Sequence, residues 1–258
     1  MRTSKNLLST LALCGVGLLR AQDGQLSQYD AAPVMLNPAL TGMYENAEFR
    51  MACNVRSQWN SLASNFLTTA FGYDLSFQRR FGVGMSLSNY NMAGIMNNFQ
   101  FGLSGAYNVS DPKAHHTLST GVHLGLLYKK VNDQNLLWDS QYSNGYFNSD
   151  LPSGEITQRG ARLMPDVSVG LAYRSTNPRR SINPFVNAAL FHVTMPDESI
   201  YRTAKSKMPI RYSANGGVRV KLSEGLILIP QGLYMRQGND QQIHAGMMGE
   251  FALSLIHI

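Results

Sequence analysis

Apolar residues alternate with small or polar residues in segment after segment of this chain, and this alternation constrains its fold more than any other feature. The clearest segment has Phe81, Val83, Met85 and Leu87 on one phase, with only glycine and serine on the other. A period of two places successive side chains on opposite faces of a β-strand. The alternation predicts ten strands, at 49–55, 67–77, 81–88, 99–107, 118–128, 167–173, 185–193, 212–222, 226–235 and 243–253.

The length and lining of these segments favour a membrane barrel. After residue 21 no stretch approaches the roughly 18 continuous apolar residues of a membrane helix, so a closed barrel is the remaining way to span a bilayer. The segments run to about ten residues, as a tilted membrane-crossing strand requires, and their second phase suits a polar lumen. We therefore predict an all-β fold, a transmembrane antiparallel up-and-down β-barrel in the bacterial outer membrane. A soluble β-sandwich is the alternative.

The predicted connections differ in length in a regular way. The nine connections are 57–64, 78–80, 90–97, 110–116, 131–164, 174–183, 194–210, 223–225 and 236–241. Two even-numbered ones are tight turns, and the two longest are odd-numbered. Outer-membrane barrels have short periplasmic turns and longer outer loops, so we expect the long loops to face outward. Aromatic residues at strand ends fit an interfacial girdle. They are Phe77, Phe81, Tyr107, Tyr128 and Tyr173. Pro230 interrupts one strand and predicts a bulge.

The N-terminus has the pattern of a signal peptide. Arg2 and Lys5 precede an apolar run from Leu7 to Leu19, which is too short to span a bilayer as a helix. We predict cleavage after Ala21, with an uncleaved anchor as the alternative. The formal charge falls from +6 to +3, because residues 1–21 carry three cations and no acid. Beyond the peptide we predict a periplasmic segment, 22–47, and a barrel, 48–258.

The remaining composition excludes several functions. Cys53 is the only cysteine after cleavage, so no intramolecular disulfide can form. Cations occur at most in pairs, so no nucleic-acid footprint is present. We find no nucleophile elbow, phosphate-binding glycine loop or zinc-protease motif, and predict neither catalysis nor a cofactor or metal. His123 and His244 fall on the lumen-facing phase of their strands.

Two motifs flank the first strand. Gln25-Leu26-Ser27-Gln28-Tyr29 precedes Asn37-Pro38-Ala39-Leu40-Thr41-Gly42, and Arg56-Ser57-Gln58-Trp59 follows the strand. Together they resemble the Q-x-S-Q-Y, N-P-A-x-x-G and R-x-Q-W motifs of the PorP/SprF family of type IX secretion and gliding-motility membrane proteins. Further matches lie at 81–84, 118–121, 165–170 and the Pro230 strand, so the resemblance covers nearly the whole mature chain.

The resemblance implies a non-enzymatic role in type IX secretion or gliding. Expected partners are outer-membrane lipid, a secreted adhesin or motility cargo, and periplasmic components of the secretion system. The candidate partner-binding or family-motif residues are Gln25, Ser27, Gln28, Tyr29, Asn37, Pro38, Gly42, Arg56 and Trp59. Turn chemistry alone also explains Asn37, Pro38 and Gly42, since the segment could simply plug or cap the barrel. A passive porin or solute channel is the alternative function.

The family has barrels of about fourteen strands, whereas ten are visible here. We therefore expect a chain that is truncated at its C-terminus, with an open seam or a strained closure between the first and last strands. The 131–164 loop is a candidate outer surface for protein contacts, because aromatic residues stand among polar ones. A loop that packs on itself over the barrel is the alternative.

Overall fold

The sheet has ten strands, each paired antiparallel with its neighbours in chain order. The computed structural model describes residues 24, 26–44, 47–60, 65–111, 114–132, 139–143, 145–148, 150–152, 160–199, 205–223 and 225–251. The strands are β1 (Phe49–Gln58), β2 (Phe66–Phe77), β3 (Phe81–Met92), β4 (Met96–Asn108), β5 (His116–Val131), β8 (Ala161–Ser175), β9 (Ile182–Phe191), β10 (Arg211–Ser223), β11 (Leu226–Gln237) and β12 (Asp240–Phe251). The predicted all-β, up-and-down barrel fold is confirmed, as a curled half-barrel.

Short elements lie outside this sheet. β6 (Tyr142–Ser143) and β7 (Tyr146–Phe147) form a separate hairpin between β5 and β8. Before β1 the chain makes a 3-10 turn at Tyr29–Ala31, the short helix α1 (Pro33–Leu36) and a 3-10 turn at Pro38–Leu40. A third 3-10 turn, Asp139–Gln141, precedes β6. No helix in the described ranges is long and apolar enough to cross a membrane.

The two faces of the sheet follow the predicted alternation. Along β5 the exposed residues include Leu118, Val122, Leu124 and Leu126, whereas Ser119, Gly121, His123 and Gly125 on the other phase point to the concave face. His123 lies on that inner face, as predicted, and so does His244 of β12. The apolar phase therefore forms the outer surface of the curl, which is the face that lipid contacts in a membrane barrel.

Aromatic residues form rows at both ends of the outer face. Phe77, Phe81 and Tyr107 are cross-strand neighbours at one end, and Phe99 pairs with Tyr128 at the other. Phe99 and Tyr107 are eight residues apart on β4, or about 27 Å along the strand. With a strand tilt of about 40° this gives roughly 20 Å across the bilayer, close to the apolar band of outer-membrane barrels.

The connections are partly as predicted. Gln78–Arg80 is a tight turn, and the loops at 132–160 and 192–210 are long. The predicted loops at 90–97 and 236–241 were wrong, because β3 and β4 continue to a turn at 93–95 and β11 and β12 to a turn at 238–239. Two tight turns therefore lie at the long-loop end. The strands extend beyond the apolar band here, where cross-strand pairing needs no apolar outer residues.

The bulge predicted at Pro230 is absent. Gly217 pairs with Gln231 and Val220 with Leu228, so the β10–β11 register is the same on both sides of the proline. On the other side Pro230 pairs with Met247 of β12. The irregularity in this hairpin lies between Lys221 and Ser223, beside the turn. Pro230 has no backbone N–H to donate, but it adds no extra residue to the strand, so the register is unchanged.

β1 and β12 are the two edges of the sheet, and no pairing joins them within the described residues. The expected open seam is present. The 3-10 turn at Tyr29–Ala31 lies near this gap, since Tyr29 packs beside His244 of β12 and the turn approaches β1.

A charge on the outer face should destabilise the fold more than one on the inner face. Leu87 lies outward between Phe71 and Phe101, whereas Ser88 points inward and bonds Gln100. We expect Leu87→Arg to lower the free energy of unfolding in lipid by about 2–4 kcal/mol near the bilayer midplane. Ser88→Arg is the matched control, and denaturant titration in lipid measures both. Equal losses would contradict the face assignment.

Candidate functional site in the barrel interior

The concave face of the sheet is occupied by the chain's own N-terminal segment. We call residues 24 and 26–44 the inner segment. Gly24, at its start, lies against the ring of Tyr90, and Gly42, near its end, lies against Gly82. Tyr90 and Gly82 are eight residues apart on β3, or about 27 Å. The inner segment therefore runs lengthwise through the barrel, from the long-loop end to the short-turn end.

Asn37 is the main anchor of the inner segment. Its side-chain Nδ2 donates to the carbonyls of Leu171 on β8 and Ala188 on β9, both at 3.0 Å. Its Oδ1 accepts from the N–H of Ala39 at 2.8 Å, which caps the following 3-10 turn. With 1% of its surface exposed, Asn37 ties two strands and its own turn together at a buried point.

A buried ion pair holds the end of the inner segment. Asp74 on β2 accepts from the N–H of Gly42 at 2.6 Å and forms a bidentate pair with Arg50 of β1. Arg50 also donates to the carbonyl of Leu40 at 3.0 Å. Because Asp74 is almost fully buried, its charge requires these partners. In the sequence, Asp74 is only one polar residue on the inner phase of a predicted strand. Its carboxylate among glycine and serine residues was the available signal for a buried role.

Small residues form the socket into which the inner segment fits. A Cβ at Gly82, Gly121 or Gly170 would overlap Thr41, Pro38 or Asn37 respectively. Ser119 donates its hydroxyl to the carbonyl of Ala39 at 2.7 Å. Gly42 itself has φ +67, a conformation that favours glycine. The glycine- and serine-rich phase of the strands thus accommodates protein as well as water.

The nine candidate residues differ in their burial. Asn37, Pro38 and Gly42 are buried together in the socket. Ser27 and Gln28 are exposed, and Gln25 lies outside the described residues.

Three aromatic or cationic candidates lie nearer the edge strands. Tyr29 is half-buried and packs beside His244 of β12. Arg56 lies near the end of β1, and Trp59 follows the strand, exposed and with φ +64.

A second segment covers the interior from the long-loop end. This inward loop, residues 192–199 and 205–210, is held by two lumen-facing cations. Lys129 of β5 pairs with Glu198 at 2.9 Å, and Arg162 of β8 pairs with Asp197 at 3.0 Å. Arg162 also donates to the carbonyl of Ser199. The inward loop thus folds over the opening.

A cavity of about 140 Å³, partly open to solvent, lies between the inner segment and the start of the inward loop. His192 contacts Asp166 at 3.1 Å, and His123 bonds Ser104 at 2.7 Å on its wall. In the described part of the chain, no three His, Cys, Asp or Glu residues are placed to hold a metal ion. The pairs His192–Asp166 and His123–Ser104 thus belong to the barrel wall.

Comparison with known proteins identifies the family of this chain. A family model described as "Type IX secretion system membrane protein PorP/SprF" matches residues 18–256. The chain belongs to the PorP/SprF family. The predicted resemblance is confirmed, and the chain is a membrane protein of a type IX secretion family. No curated protein matches it.

One solved structure is similar in outline, a porin. It shares 12% sequence identity with the chain at a TM-score of 0.36. The match covers 79% of this chain and spans 58% of the length of that porin.

Filling the socket should expel the inner segment. In Gly121→Leu the new side chain would overlap the Pro38 backbone, so Asn37 would lose its partners. We expect the free energy of unfolding to fall by about 2–4 kcal/mol, from overpacking and unpaired polar groups. Hydrogen exchange over residues 33–44 should accelerate. Gly105→Leu, at an outward position with open space around it, is the control. Unchanged protection in Gly121→Leu would contradict the socket.

The inward loop should loosen in acid. The N–H groups of Ser206 and Ser199 donate to Asp197, and with Arg162 they lower the pKa of its carboxyl below 3.8. A lowered pKa gives stabilisation that is complete above the unfolded value and lost as pH falls through the folded value. Amide protection of Ser199 and Ser206 should therefore persist at neutral pH and be lost in acid, as the pH falls through the lowered pKa of the Asp197 carboxyl.

The Asp197→Asn variant separates charge from shape in this loop. It should lack the amide protection even at neutral pH, because a neutral amide is a weaker acceptor than a carboxylate and has no ion pair with Arg162. Asp139→Asn, in the other long loop, should behave as the unaltered protein. Protection that survives in Asp197→Asn would show that the carboxylate does not hold the loop.

Proposed function

We propose that this protein is a non-conducting, non-enzymatic outer-membrane scaffold of the type IX secretion or gliding machinery. In this proposal it joins a secreted surface protein outside the cell to components of the secretion system in the periplasm. Family membership supports the secretion role. The predicted signal peptide at residues 1–21, which lies outside the described residues, supports export to the outer membrane.

The observation that carries the proposal is the seating of Asn37. A channel needs a continuous aqueous path, whereas here a segment of the chain itself occupies the interior and is bonded to β8 and β9. The Asp74–Arg50 pair holds the same segment against β2 and β1. The segment is held by buried hydrogen bonds both at Asn37 and at the Asp74–Arg50 pair. It is therefore part of the folded core and stays in place when solutes arrive.

The orientation follows from the loops. We place the 132–160 and 192–210 loops outside the cell and the turn at Gln78–Arg80 in the periplasm, as in other outer-membrane barrels. The buried motif residues Asn37, Pro38 and Gly42 then serve the scaffold from within. The exposed or half-exposed candidates, Ser27, Gln28, Tyr29, Arg56 and Trp59, are proposed as contact residues for a partner, together with Gln25.

Conductance in planar bilayers tests the scaffold against a porin. We expect the purified protein to insert without steady ion flux, and Gly121→Leu to give measurable channel steps. The displaced segment would leave an aqueous path past the small lumen residues. Steady flux through the unaltered protein would support the porin and overturn the scaffold.

Cysteine labelling tests the orientation. In a Cys53→Ser background, Tyr146→Cys should react with a membrane-impermeant maleimide on intact cells. Arg79→Cys should react only after the outer membrane is opened. The reverse pattern would invert the proposed topology.

A further inference from the structure

A small hairpin projects from the 132–160 loop as a self-contained unit. Tyr142 pairs with Phe147 and Ser143 with Tyr146. At its base the N–H of Asn148 donates to the carbonyl of Gln141 at 2.8 Å. Gln141 also donates its side-chain amide to the carbonyl of Leu151. These bonds within the loop hold the two short strands together.

Three aromatic rings of this hairpin are open to solvent. Tyr142, Tyr146 and Phe147 expose 51%, 79% and 41% of their surface. The rings of Tyr142 and Phe147 meet edge to face at 5.5 Å, and Tyr146 lies on the opposite face beside Ser143. Both faces of a preformed hairpin thus present aromatic surface. Exposed rings on a rigid element are typical of protein recognition sites.

The acidic sequence of the 132–160 loop selects the chemistry of the hairpin's partner. Among the described residues, Asp139 and Asp150 stand just before and just after the hairpin in the chain. The 132–160 loop carries Asp133, Asp139, Asp150 and Glu155 against Arg159, a formal charge of −3. Since residues 22–258 sum to +3, the rest of the mature chain carries +6. The acidic excess is therefore concentrated in the loop that carries the exposed rings. Arginine and lysine side chains satisfy both features, through ion pairing and through cation–π contact with the rings.

We propose that the Tyr142–Phe147 hairpin is a docking site for a basic, extended segment of a protein partner outside the cell. The proposal rests on the scaffold function and orientation given above. An anionic lipid surface is a poorer occupant, because the acidic loop would be repelled by it. A second copy of this chain would have to supply the basic segment itself.

Fluorescence anisotropy of a labelled peptide tests this chemistry on the full-length protein in detergent. The probe is a twelve-residue peptide of alternating arginine and threonine, and the control probe carries glutamate in place of arginine. We expect the arginine peptide to bind and the glutamate peptide not to bind. Binding should weaken with added salt. Equal binding of the two peptides would overturn the proposal.

Substitutions at constant charge separate the rings from simple charge attraction. The triple variant Tyr142→Ser/Tyr146→Ser/Phe147→Ser should bind the arginine peptide about tenfold more weakly, which corresponds to about 1.4 kcal/mol. Phe77→Ser, an exposed aromatic at the short-turn end of the barrel, should bind as the unaltered protein does. Undiminished binding by the triple variant would show that charge alone attracts the peptide, and would overturn the docking site.

Two further measurements examine the competing occupants. Sedimentation would detect dimers that the triple variant loses. If the hairpin entered the bilayer, brominated lipid in vesicles would quench more tyrosine fluorescence in the unaltered protein than in the triple variant. Either result would overturn the protein-docking proposal. Because peptide binding in detergent does not depend on orientation, inward labelling of Tyr146→Cys would overturn the scaffold topology separately.

Discussion

A single amide side chain sets the relation between the two parts of this protein. Asn37 uses both hydrogens of Nδ2 for carbonyls on β8 and β9, and its Oδ1 for the turn that follows it. A segment inside a barrel cannot pair its backbone as a strand would, so side chains must link it to the wall. Because Leu171 and Ala188 are neighbours across the β8–β9 ladder, one residue can bridge both strands. The rest of the interior is built around this point.

The sequence alone could predict the sheet but not what fills it. The alternation located all ten strands, most clearly β3 (Phe81–Met92). It also placed His123 and His244, together with glycine and serine, on the inner face. The same pattern fits an empty polar lumen or a socket, since alternation reports which face a residue occupies and not what lies opposite it. Asp74 and Arg50, far apart in sequence, therefore gave no signal as a pair.

Two local signals explain what sequence analysis missed in the connections. The polar run between 89 and 98 reads as a loop, yet Ala93 and Gly94, both with positive φ, make a tight turn that lets β3 and β4 continue. In the long loop, the sequence Asn144-Gly145 between aromatic residues is a strong hairpin signal, and Gly145 has φ +83. At this turn, the presence of residue types that favour positive φ predicts the hairpin better than the overall polar composition does.

The closures at the two ends differ in their physical character, and this limits how the ends can communicate. The inner segment is held by buried groups, Asn37 and Asp74, whose bonds water does not replace. The inward loop is held by more exposed pairs, such as Arg162 with Asp197, which salt and acid weaken. The loop can therefore open while the inner segment stays seated. Any coupling between the long-loop end and the short-turn end therefore passes through the packed inner segment rather than through an open lumen.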